Sequence, residues 1–303
     1  MDVMRVARKS RDAILGVVPP EPVFATYHRL ARRRFVDYAR RRLGVDFREV
    51  AAGAAPPATL IAKTSASDER QLQLEANPDK YFGGGYRMVL NWLKVLEHVG
   101  FNIRTVGSAL EFGCGTARLI RHLRCLDGVH LVGSDLNPEM IEWCSDNVPG
   151  IEFHCNDLEP PLRFASDASF DLILASSVFT HIPRDLQAFW MRELRRVLHP
   201  GGVFLCTVLG RLAKQTLLAP KEYSALAEGG YIELTTDRAE ATLSTRIGGS
   251  AWDVFQSRGE LIRRFGEVFR VVDFIPGTQD LLVLQRPDAW APLTATPYYG
   301  EVF

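Results

Sequence analysis

The chain has 303 residues, 47% hydrophobic and 24% charged, and its 36 Lys+Arg are balanced by 36 Asp+Glu. That composition belongs to a globular protein able to bury a sizeable core, and it excludes a chain disordered over most of its length. No apolar run reaches the ~18 residues that span a bilayer, residues 1–18 lack the apolar stretch of a secretory signal, and the five cysteines include no C-x-x-C pair, so the expectation is a cytoplasmic protein with reduced thiols and no structural metal.

Charge is unevenly spread. Residues 1–50 hold twelve Lys+Arg against six Asp+Glu, concentrated in Arg32-Arg33-Arg34 and Arg40-Arg41-Arg42. Between Tyr27 and Leu43 the residues Leu30, Phe35, Tyr38, Ala39 and Leu43 recur at spacings compatible with one helical face. A basic amphipathic helix of this kind suits a membrane surface, an anionic glycan carrier or nucleic acid, and equally suits a solvated helix packed on the main domain. The small, Pro-containing stretch 51–67 is predicted to be a linker, which makes residues 1–75 a helical N-terminal extension and 76–288 the main domain, followed by a tail at 289–303.

Within the main domain a helix is predicted over Tyr86–Val99, ended by Gly100. Strand and helix patterns then alternate: strand 108–112, helix 117–124, strand 130–134, helix 138–147 opened by Pro138, strands 151–155 and 170–175, helix 184–198 and strand 202–209. Such β-α alternation implies a doubly wound, mostly parallel α/β sheet. Residues 210–256 break the pattern and are read as a cap over the open end of the sheet. Ser257-Arg258-Gly259-Glu260 has the spacing of a capping box opening another helix, and strands 268–274 and 281–285 follow as antiparallel neighbours at one sheet edge.

Ligands of open parallel sheets bind beyond the carboxyl ends of the strands. The first such turn, Leu110-Glu111-Phe112-Gly113-Cys114-Gly115-Thr116-Ala117-Arg118, has two glycines that let a ligand approach the backbone, but Arg118 stands where a dinucleotide fingerprint needs a third glycine. Glu111 disfavours a pyrophosphate and suits a ligand with positive charge, such as the sulfonium and ammonium of S-adenosylmethionine. Asp135, ending the second strand, is placed to accept hydrogen bonds from ribose hydroxyls, a device NAD enzymes share. After the third strand, Asn156-Asp157-Leu158 offers Asp157 to an adenine amino group, with Leu136 and Leu158 as apolar contacts.

With these motifs the sequence resembles the class I S-adenosylmethionine-dependent methyltransferases, from E-F-G-C-G-T-A-R through V-G-S-D-L-N-P-E-M-I, C-N-D-L-E-P-P-L, S-F-D-L-I-L-A-S-S-V-F-T-H-I-P and L-R-R-V-L-H-P-G-G to Q-D-L-L-V-L-Q-R. The resemblance implies a Rossmann-like, seven-stranded sheet with an antiparallel last strand, and cofactor contacts at Glu111, Gly113, Gly115, Asp135 and Asp157. Cys114, Leu136, Asn156, Leu158, Ser176 and Tyr86 complete the candidate cofactor set. Tyr81-Phe82-Gly83-Gly84-Gly85-Tyr86 and S-A-W-D-V-F-Q-S-R are similar to segments of bacterial methyltransferases acting on sugars, glycans or glycosylated metabolites.

An alcohol acceptor must lose a proton, and His181, in the loop after the fourth strand, is the candidate base, set against a structural histidine before Pro183. Trp252 and Phe255 are candidate sugar-stacking surfaces, set against simple packing. The loop S-S-V-F lacks the Asp/Asn-Pro-Pro-aromatic motif of enzymes that methylate nucleic-acid amino groups, which disfavours nucleic acid as substrate. A non-catalytic methyltransferase-fold subunit, binding a partner through residues 1–75, is the alternative in a different class.

Overall fold

The computed structural model describes residues 30, 32–43, 54–64, 78–235, 252–277 and 279–287. The expected tail, the middle of the cap (236–251) and much of the N-terminal extension (1–29, 44–53 and 65–75) therefore lie outside the described residues. Nine strands are described: β1 Ser108–Phe112, β2 His130–Asp135, β3 Glu152–Cys155, β4 Phe170–Ala175, β5 Leu198–Leu209, β6 Tyr231–Thr235, β7 Trp252–Gln256, β8 Arg270–Ile275 and β9 Gln279–Gln285. Seven of them form one sheet in the order β3-β2-β1-β4-β5-β9-β8. β1 to β5 pair in parallel, and β9 runs antiparallel to both β5 and β8. The expected Rossmann-like sheet is thus present, with β9 inserted between β5 and the edge strand β8.

Its central strands β1, β4 and β9 are largely apolar and buried because helices cover both faces. One face buries Leu172, Leu174, Val203 and Leu205 against Val89, Leu93 and Leu96 of helix α2. The other buries Leu110, Ile173, Phe204 and Leu282 against Trp190, Leu194, Leu261 and Phe265. From residue 54 onward the described α-helices are α1 Ala58–Thr64, α2 Pro78–His98, α3 Pro138–Asn147, α4 Arg184–Val197, α5 Arg211–Leu217, α6 Pro220–Gly229 and α7 Arg258–Gly266. Two starts follow the sequence signals. Asn137 accepts from the N–H groups of Glu139 and Met140 ahead of Pro138, and Ser257 accepts from that of Glu260.

Three expectations are corrected. The linker at 51–67 contains α1, in which Leu60 and Ile61 are buried. The glycines Gly83-Gly84-Gly85, placed ahead of the first helix, lie inside α2. A Cβ on Gly85 would stand 2.4 Å from the carbonyl oxygen of Arg118 and from Nε2 of His122, so packing outweighs helix propensity there. The expected helix 117–124 is a run of turns followed by a 3-10 helix over Ile120–Cys125. Ala117 has φ +58°, which no α-helix accommodates.

The N-terminal helix (residues 30 and 32–38), closed by a π-helical turn Ala39–Leu43, packs on the sheet domain through Phe35 and Ala39, while Leu30 is exposed. Tyr38 donates to Glu97 at 2.8 Å, and Arg104 donates to the carbonyl of Arg42. Arg32–Arg34 and Arg40–Arg42 face solvent. A small third cluster of Leu209, Leu218, Leu226 and Phe255 joins β5, α6 and β7.

Candidate active site

The strand order reverses between β1 and β4, so the crevice expected of such a sheet opens between the turn after β1 and the loop after β4. The two loops touch. Gly113 has φ +72°, and a Cβ there would meet Cγ2 of Val178 at 2.4 Å, so only glycine fits.

Three acidic side chains end the first three strands at graded depth. Glu111 is buried, and its Oε2 accepts from the N–H of Ile120 at 2.8 Å. Burial pushes its carboxyl up to about 8, against the hydrogen bond from Ile120 and the charge of Arg118. Asp135 is half-buried and braces the turn: Oδ2 accepts from the N–H of Gly115 at 2.8 Å, and Oδ1 from that of Asn137 at 2.9 Å. Burial raises its pKa, opposed by those backbone bonds. Asp157 is exposed, 4.0 Å from Arg163.

The chemistry of this set fits S-adenosylmethionine. A carboxylate has about four lone-pair sites, so Asp135 keeps acceptor capacity after bracing the turn. Oδ1 of Asn156 is buried with no protein hydrogen bond, an acceptor left for a donor at the end of β3. Several backbone N–H groups of the turn are engaged within the protein. The N–H of Gly115 goes to Asp135, that of Ala117 to the carbonyl of Cys114, and that of Ile120 to Glu111.

Other candidates are placed as follows. Cys114 is buried under the turn, and Leu136 is half-buried with its carbonyl accepting from Cys155. Leu158 is exposed, its carbonyl accepting from the indole N–H of Trp190. Ser176 donates to Sδ of Met88 at 3.7 Å. Tyr86 is buried between Phe35 and His122, with ring centroids 5.3 and 4.0 Å away, a core position. Phe255 is fully buried and does not offer a stacking face, and the side chain of Trp252 lies outside the described residues.

Sequence reasoning missed the groups that hold the turn. Arg121, nearly fully buried, donates from Nε to the carbonyl of Ala117 and from Nη2 to that of Thr116, while its guanidinium lies over the rings of Tyr81, Phe82 and Trp143. Tyr81 also donates to the Thr116 carbonyl at 2.7 Å. Across the crevice, the N–H of Ser177 donates to Thr207, and both hydroxyls donate to Oε1 of Gln279, at 2.9 and 2.7 Å. His181 is half-buried, its Nδ1 3.4 Å from Oδ1 of Asp253 on β7.

This segment is similar to known proteins. Residues 110–206 match the methyltransferase domain model. The match runs from within β1 to within β5, so it includes all three strand-end carboxylates and His181. A demethylmenaquinone methyltransferase of Chlorobaculum parvum is 37% identical over 93 residues, 31% of this chain and 37% of the relative. A ribosomal protein L11 methyltransferase of Cupriavidus taiwanensis is 28% identical over 171 residues, 55% of this chain and 51% of the relative. The chain thus spans between about a third and a half of the length of these curated relatives. Among solved structures, an S-adenosylmethionine-dependent methyltransferase of Methanosarcina mazei is 17% identical with a TM-score of 0.47, covering 63% of this chain and 97% of the other.

Proposed function

We propose that this protein is an S-adenosylmethionine-dependent methyltransferase acting on a hydroxyl oxygen of a small sugar, a glycan or a glycosylated metabolite. The observation that carries the reading is Asp135, which ties the glycine turn to the end of β2 at the point where strand order reverses and retains acceptor capacity for a ribose. Glu111, Asp157 and the unpartnered Asn156 oxygen extend the same polar edge over β1 and β3. The matched methyltransferase domain supports the reaction class. The hydroxyl acceptor rests on His181 and on the likeness of two short segments to sugar-directed enzymes.

When bound, the cofactor supplies an electrophilic methyl group on a sulfonium. The chain's part is positional. The turn would hold the methyl donor opposite the loop after β4, and His181 would take the proton of the acceptor hydroxyl.

Calorimetric titration with S-adenosylhomocysteine, S-adenosylmethionine and NAD in parallel tests the cofactor. Micromolar binding of the first two and none of NAD is expected. Asp135→Ala should weaken S-adenosylhomocysteine by about 100-fold or more, since hydrogen bonds to a charged group contribute roughly 1.5–3 kcal/mol each. Unchanged affinity in that variant would remove the assignment. No binding to either sulfur nucleotide would favour a non-catalytic subunit that meets a partner through the exposed arginines of the N-terminal helix.

A further inference from the structure

The loop carrying His181 is held from beneath and from the side. Gln187 of α4 is fully buried, and its Nε2 donates to the carbonyls of Phe179 at 3.1 Å and Ile182 at 2.9 Å, on either side of His181. Gln256 of β7 donates to Oε1 of Gln187 at 3.2 Å. β7 runs along the loop, with the N–H of Val254 donating to the carbonyl of Thr180 at 2.9 Å. That bond sets the register that brings the next pair, Asp253 and His181, side by side with Nδ1 3.4 Å from Oδ1 and both side chains 35% exposed. The separation is about half an ångström beyond an optimal hydrogen bond, in the range that such pairs show before substrate closes the site.

Neighbouring charges are engaged elsewhere. Glu233 accepts from the hydroxyl of Tyr231 at 2.7 Å and from the N–H of Arg184 at 3.4 Å. Glu260 accepts from the guanidinium of Arg184 at 3.0 Å, and Arg264 donates to the Arg184 carbonyl.

We propose that Asp253 is the positioning residue for His181, so that the cap hairpin β6–β7 supplies part of the catalytic apparatus. The carboxylate holds the imidazole with its proton on Nδ1, the tautomer in which Nε2 is the basic nitrogen. In the step this serves, the hydroxyl proton passes to Nε2 while the oxygen forms its bond to the methyl carbon. The carbon–sulfur bond breaks with its electron pair on sulfur, and the ion pair with Asp253 stabilises the imidazolium until the proton leaves to solvent. This inference rests on the reading of His181 as the base.

The test is the nitrogen-15 spectrum of the full-length protein labelled on histidine, above the titration range of imidazole, with the His181 signals assigned by their loss in His181→Gln. Wild type should show Nδ1 protonated and Nε2 bare. Asp253→Ala should shift the ring toward the Nε2–H tautomer favoured by free imidazole, whereas Asp253→Asn, which keeps an acceptor oxygen, should hold the wild-type tautomer. An Nε2–H ring in wild type, or a tautomer indifferent to Asp253→Ala, overturns the proposal. Retained S-adenosylhomocysteine binding shows that the variants fold. With octyl glucoside and methyl glucoside as acceptors, S-adenosylhomocysteine formation should fall about 100-fold in kcat for Asp253→Ala, in the range ascribed to general base catalysis, with KM for S-adenosylmethionine within about twofold of wild type. Wild-type turnover in Asp253→Ala also overturns it. Absence of cofactor binding would sink the functional reading, whereas the tautomer reports on the pair alone.

Discussion

Glu111 shows how burial sets the protonation of a single carboxyl. Buried at the end of β1 with a backbone N–H as partner, it holds its proton up to about 8 instead of the ordinary 4.5. Because the folded value lies above the unfolded one, its contribution to stability is fully present below about pH 4.5 and is lost as pH rises toward 8. Urea unfolding across that window should therefore show a decline with pH in the wild type that Glu111→Gln makes shallower; an unaltered slope would mean that the carboxyl is ionised in the fold. His122 illustrates the reverse case. Burial, then the charges of Arg121 and Arg118, push its pKa down to about 3, so it packs against Tyr86 as a neutral ring.

Among the elements, α2 decides most about the turn. Its Tyr81 donates to the Thr116 carbonyl, and its Gly85 lies against the Arg118 carbonyl and His122. Gly85→Ala sets two effects against each other. Helix propensity favours alanine by about 1 kcal/mol, while overpacking against backbone costs about 1–3 kcal/mol. With 2.4 Å to a carbonyl oxygen, overpacking should win: the urea midpoint should fall and S-adenosylhomocysteine affinity with it, because the carbonyl displaced belongs to the turn that Arg121 and Tyr81 brace. A midpoint raised by this substitution would show that α2 can slide without disturbing the site.

Across the whole molecule, the N-terminal helix and the cap both attach to the sheet domain through well-buried contacts. Phe35 is fully buried against Tyr86 and His122. Phe35→Ala should cost about 3–5 kcal/mol in a single urea transition, the usual range for emptying a large core site. A wild-type midpoint, or a separate early transition, would show that the helix folds apart from the sheet. Its six exposed arginines would then be carried by a detachable arm.

The sequence by itself determined the alternating elements, several strand and helix ends, and the strand-end carboxylates, because apolar periodicity, Asn137-Pro138 and Ser257 to Glu260 act within a few residues of chain. Tertiary structure alone decided the rest. The segment after Gly115 lost its helix because Asp135 and Tyr81, distant in sequence, and the buried Arg121 within the segment take up its backbone groups. Tyr86 and Phe255 went to packing because their neighbours left them no open face. Asp253 reached His181 only through the register of β7 on Thr180, a contact between segments whose spacing in the chain carries no signal of their meeting.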